Sequence, residues 1–91
     1  MSSDPNVERV RAELAKHDHA ILDAVNARLR LVAELKRYKE EADLPFVDAA
    51  QERRLLERLA AGNTGPLSDE GVRKLFTEIL ALTKDELDES G

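Results

Sequence analysis

The sequence predicts an all-α protein of three helices, one long and two shorter, packed against a second copy of itself. Three observations predict it. The hydrophobic fraction of 42% comes almost entirely from Leu, Ala, Val and Ile, with only three aromatics, a composition of helical bundles rather than sheets. Breakers cluster at only two places, around "EADLPF" and at "AAGNTGPLSD", and divide the 91 residues into three segments. The first segment, Val7 to Ala42, has neither Gly nor Pro, and at ~1.5 Å per residue it spans roughly 50 Å. A compact chain of this size cannot cover such a rod, so a partner is expected.

The first helix is expected over 7–42, with 1–6 as a disordered N-terminus. Alternating steps of four and three trace a seam along it: Val7, Arg11, Leu14, Asp18, Ile21, Val25, Arg28, Val32, Leu35, Lys39. Six apolar members in a 3.5-residue repeat predict lengthwise packing on another helix, and the rod's length favours the same helix of a second subunit. The second helix is expected over 48–61, opened by a D-x-x-Q capping box (Asp48, Gln51) and stopped at Gly62 and Asn63. The third is expected over 68–87, with Ser68 as N-cap and Asp69 and Glu70 complementing the helix dipole. Its stripe is Val72, Leu75, Phe76, Ile79, Leu82 and Thr83, and 88–91 form a tail. No strand pattern or internal repeat appears, and the whole reads as one domain.

Composition removes several function classes. A net charge of −5 disfavours nucleic acid and anionic membranes, both of which need a cationic surface. With no cysteine there is no disulfide, thiolate nucleophile or sulfur-bound metal, and a cytoplasmic location fits. No segment approaches the roughly 20 apolar residues of a membrane span, and "MSSDPNVER" has no apolar signal core. His17 and His19 are two apart and point to different sides of a helix, so no metal is expected. No Gly-rich phosphate loop exists, and no Ser or Thr has a histidine placed to activate it.

What remains is positioning and electrostatics. Arg28 and Lys39 lie eleven residues apart, about three turns, on the side of the helix that carries Val32 and Leu35. Long cations often snorkel from the edge of an apolar stripe, and Asp18 or other acids could pair with them. Yet Arg11, Arg28 and Lys39 together are costly in a dry seam unless anions meet them, at several kcal/mol for each buried charge. An anionic ligand would serve as well as an acidic side chain. Glu52 stands on the side of Leu55, Leu56 and Leu59, as a first-turn acid or a ligand group. Thr83 interrupts the third stripe, where its hydroxyl either bonds back to its own helix or faces a ligand.

The segments "VRAELAKHDHAILDAVNARLRLVAELKRYK", "LPFVDAAQERRLLERL" and "GPLSDEGVRKLFTEILALTKDEL" resemble, in order and spacing, the all-helical class of chorismate mutases from Val7 to Leu87. The resemblance implies an intertwined homodimer with two shared sites. It implies the pericyclic rearrangement of chorismate to prephenate, in phenylalanine and tyrosine biosynthesis, with no cofactor and no metal. It also implies site residues: Arg11 reaching across to one substrate carboxylate, Arg28 binding the other, and Lys39 at the ether oxygen. Asp48 and Glu52 would hold the ring hydroxyl, and Thr83 would stand near a carboxylate.

Two positions depart from the family pattern. Gln51 replaces an arginine that many members carry before the site glutamate, and Leu87 replaces the Gln or Glu that gives the ether oxygen a second donor. Three explanations of Leu87 are open: a slow mutase assisted by an activating pathway enzyme, Glu86 serving through a shifted register, or a related substrate. The same carboxylate clamps would suit an isochorismate pyruvate lyase or an amino-deoxychorismate mutase. Outside the enzymes, the pattern fits a non-catalytic helical dimerisation or regulatory module.

Overall fold

The structure, a computed structural model, describes residues 4–89. It contains three helices in the order α1 (Pro5–Glu41), α2 (Ala49–Gly62) and α3 (Asp69–Glu89), and no strand among the described residues. Residue contacts divide the chain into two units, one ending at Leu31 and the other beginning at Val32.

α1 begins two residues before the expected Val7, so Pro5 and Asn6 belong to the helix rather than to a disordered terminus. The cause is local. Asp4 caps the helix: its carboxylate accepts from the Asn6 N–H (2.8 Å), and its carbonyl accepts from the Glu8 N–H (3.0 Å). Pro5 sits at the first helical position, where its fixed φ suits the helix and no N–H is needed. Residues 1–3 of that expected segment lie outside the described residues.

In the first unit, α1 is the one element described, and none of its side chains is buried. The seam residues Val7, Leu14 and Ile21 are all exposed, Ile21 to 62%, and so are Val10, Leu22 and Leu31 beside them. An isolated helix gains little stability from propensity alone, so this face demands a covering surface.

α1 ends without glycine. Asp43 adopts the left-handed conformation (φ 59), the Leu44 N–H donates to the Lys39 carbonyl (2.7 Å), and the Asp43 N–H donates to that of Glu40 (3.1 Å). These are the two hydrogen bonds of a Schellman motif, and Asp is among the few non-glycine residues that tolerate its left-handed position.

In the second unit α2 and α3 pack against each other. Asp48 caps α2 through its carboxylate, which accepts from the Gln51 N–H (3.1 Å). Only half of the expected box forms, because the Gln51 side-chain oxygen accepts from Arg54 instead (2.9 Å). Ser68 caps α3 by accepting from the Gly71 N–H (2.9 Å). Ala60, Val72, Thr83 and Leu87 are buried, with Leu55, Leu56, Leu59, Phe76, Ile79 and Leu80 half-buried around them. The α3 stripe therefore runs through Leu80 and Leu87, while Leu75 and Leu82, expected inside, are exposed. Two apolar rows run along α3, and only one faces α2. Asp88 and Glu89, expected in the tail, continue α3.

Candidate active site

α1 carries three of the expected cations. In the first unit Arg11 is exposed and faces Glu8 one turn earlier, at 3.9 Å. Arg28 is half-buried. Asp18 is exposed and lines a shallow hollow of about 220 Å³ with Ala15, His19 and Leu22.

In the second unit Lys39 is half-buried and fixed from both ends. Its carbonyl is taken by the Schellman motif, and its ammonium donates to the Phe46 carbonyl oxygen (3.0 Å). That bond uses one of three N–H groups and leaves the charge available to an oxygen nearby. Two residues past Phe46 comes Asp48, whose carboxylate is engaged in capping α2.

Glu52 and Thr83 stand on facing helices. The Glu52 carboxylate is held by Lys84, with Nζ 3.0 Å from Oε2 and 3.1 Å from Oε1. Both side chains are largely shielded, at 27% and 35% exposure. They line a cavity of about 450 Å³ with Ala49 and Leu56 of α2 and Leu80 and Ala81 of α3. Among the described residues that line it, Glu52 is the one the sequence had singled out; Lys39, Asp48 and Thr83 lie outside its wall. Thr83 is 6% exposed, and its hydroxyl donates to the Ile79 carbonyl (2.7 Å), the back-bonded arrangement. To donate to a carboxylate it must first withdraw that proton.

Leu87 is buried at 8% exposure, whereas Glu86 beside it is exposed, with α3 continuous through both. Two ammonium groups carried no mark in the sequence. Lys84 is one. The other is Lys36, half-buried, whose Nζ donates to the Leu87 carbonyl (3.2 Å) and lies 5.5 Å from the Phe46 ring centroid. Leu87 belongs to the last turn of α3, where carbonyls lack helical partners and attract cations. Neither contact had a local signal, because the partners lie 51 and 32 residues apart in sequence. Among the described residues no three His, Asp or Glu side chains gather as a metal site would require.

These features define a class: an all-helical protein whose chemistry-bearing groups are ammonium, guanidinium and carboxylate side chains. The comparisons narrow the class. The profile of chorismate mutase type II matches residues 10–86. The form II structure of chorismate mutase from Thermus thermophilus superposes with a TM-score of 0.87 at 36% identity, covering 91% of this chain and 94% of that one. The form I structure from the same organism gives 0.83 at 37% identity, over 86% and 98%. No curated protein matches significantly. The chain belongs to the chorismate mutase type II family, and its activity is that of an isomerase.

Proposed function

We propose that this isomerase rearranges chorismate to prephenate in a homodimer whose two sites each draw on both chains. The family match over residues 10–86 carries the reaction. The exposed apolar seam of α1 supports the dimer, since a second copy of the same helix is the surface that its spacing fits.

The substrate carries two carboxylates on a ring and a flexible enolpyruvyl arm. Arg28 grips one carboxylate, and Arg11 of the partner subunit grips the other, folding the arm over the ring. Holding the reacting atoms near bonding distance removes orientational entropy, and well-oriented systems gain up to ~7–11 kcal/mol in this way. As the C–O bond breaks, negative charge grows on the ether oxygen. The Lys39 ammonium meets it, held ready by its cap and by Phe46. A preorganised charge of this kind needs no reorganisation during the reaction. Asp48 and Glu52 accept from the ring hydroxyl, and Thr83 turns its hydroxyl toward a carboxylate. No nucleophile or redox group is called for. Among the described residues no helix is long and apolar enough to cross a membrane.

The test is chorismate consumption with product identification. Prephenate from chorismate supports the proposal; salicylate plus pyruvate from isochorismate supplied in parallel, with chorismate left intact, would assign a lyase instead. Site sharing is tested by mixing Arg11→Ala with Arg28→Ala under proven subunit exchange. Each variant alone is inactive, and the mixture recovers about a quarter of wild-type sites, because each heterodimer rebuilds one of two. No recovery would disprove the shared site.

A further inference from the structure

By sequence alone Glu52 is an unaccompanied carboxylate in a site for a dianion, which is electrostatically awkward. The structure supplies a companion in Lys84. We propose that Lys84 is a positioning and charge-compensating residue. It holds the Glu52 carboxylate in one orientation and cancels its charge, so that a doubly negative substrate can approach. This role rests on the proposed mutase function.

The geometry has three parts. The Lys84 Nζ contacts both Glu52 oxygens, at 3.1 and 3.0 Å, so the carboxylate is held from one side in a fixed orientation. Each oxygen keeps acceptor capacity for a substrate hydroxyl. The pair forms part of the wall of a cavity of about 450 Å³ that Lys39, Asp48 and Thr83 do not line, so the part of the substrate it meets is the part beside Glu52. The other two charged residues of that wall are Arg53 and Asp85, of opposite sign, so Lys84 decides whether the wall is neutral or repels an anion.

A purely mechanical role as a tie between helices is already filled. Glu57 and Arg73 join α2 to α3 by an ion pair at 3.0 Å, whose partners are 68% and 42% exposed and line no part of the cavity. The Glu52–Lys84 pair is the better shielded of the two and faces open space where a ligand fits. A carboxylate stripped of its cation and placed about 6 Å from a substrate carboxylate would weaken binding roughly 10-fold to 100-fold, less at high salt.

The experiment compares wild type, Lys84→Met, Glu52→Gln and the double variant, measuring kcat and KM for chorismate alongside the thermal midpoint. Methionine keeps the aliphatic stem and loses the charge; Lys84→Gln takes its place if the methionine variant does not fold. The expected result is a KM about 10-fold or more higher in Lys84→Met, with a smaller change in kcat. Adding Glu52→Gln then brings KM back down, because the uncompensated charge is gone while an amide oxygen remains to accept. Lys84→Arg retains a near wild-type KM. The KM penalty of Lys84→Met also shrinks as salt is added. An unchanged KM in Lys84→Met, or a double variant no better than Lys84→Met, would overturn the inference while leaving the mutase function intact. Failure of the wild type to form prephenate would overturn both.

Discussion

Leu87→Gln tests the assignment of the site most directly, because its costs and gains fall on different measurements. The leucine is 8% exposed, and burial of a side chain of that size is worth about 1.5–3 kcal/mol. A buried glutamine amide that lacks partners in the empty enzyme adds a further ~1–3 kcal/mol of penalty. The variant is therefore expected to lose roughly 2.5–6 kcal/mol of stability, the lost apolar burial and the unpaired amide together. Its backbone anchor survives, since Lys36 donates to the main-chain carbonyl of residue 87. If residue 87 faces the breaking C–O bond, as the family resemblance implies, the new amide adds a second donor. Such a donor is worth ~2.7–4 kcal/mol in the transition state, a 10²–10³-fold rise in kcat. Initial rates of chorismate loss at saturation read the gain, and urea denaturation reads the loss. Leu87→Ala is the control, losing stability with no gain in rate. A folded Leu87→Gln protein with wild-type kcat would refute the placement of residue 87 at the ether oxygen.

Three other variants isolate smaller or simpler effects. Asp43→Gly is expected to stabilise the protein by about 0.5–1 kcal/mol in urea denaturation, because glycine adopts the left-handed φ of 59 without steric cost. Glu57→Gln is expected to alter stability in a pH-dependent way. The hydrogen bond from Arg73, and then its charge, hold the Glu57 carboxyl below its ordinary 4.5. With the folded value lowered, the contribution is complete above 4.5 and disappears as the pH falls through the lowered value. Denaturation midpoints of wild type and Glu57→Gln should thus differ at neutral pH and converge in acid. Finally, Arg28→Ala is expected to abolish chorismate turnover while largely preserving the far-ultraviolet helical signal; a loss of helicity with turnover would point to a structural role instead.

The three helices were legible because, Pro5 and Gly71 aside, the breakers of the described residues gather around the two connections, and because Asp48 and Ser68 mark the starts of α2 and α3. What local pattern could not settle was orientation. The third segment has apolar residues in two adjoining rows, and nothing in the sequence says which row meets α2. The structure turns Leu80 and Leu87 inward and leaves Leu75 and Leu82 outward. The start of α1 was missed for a different reason. Reading from the first apolar seam member, Val7, passed over the Asp4–Pro5 signature, in which a cap and a fixed φ start the helix without any apolar residue. Around the expected site residues, the pairings were not legible. Lys39 was expected from its place in the seam, but its hold on Phe46 depends on how the chain turns after α1. Lys84 gave no signal at all. It looks like an ordinary surface lysine until α2 is folded against α3.

That turn after α1 links stability to chemistry. The Schellman motif that ends the helix takes the Lys39 carbonyl, and the same short connection then presents Asp48 to cap α2. Between them Phe46 receives the Lys39 ammonium on its carbonyl, while the Lys36 ammonium lies over its ring. The connection therefore does three things with few residues: it stops one helix, starts another, and sets the direction of the cation assigned to the ether oxygen. In catalysis by preorganised charge, a cation that must reorient during the reaction forfeits part of its benefit. On the proposed role of Lys39, the hydrogen bonds of this turn contribute to the rate, and a chain of 91 residues supplies them without a large core because capping contacts are local and need no burial.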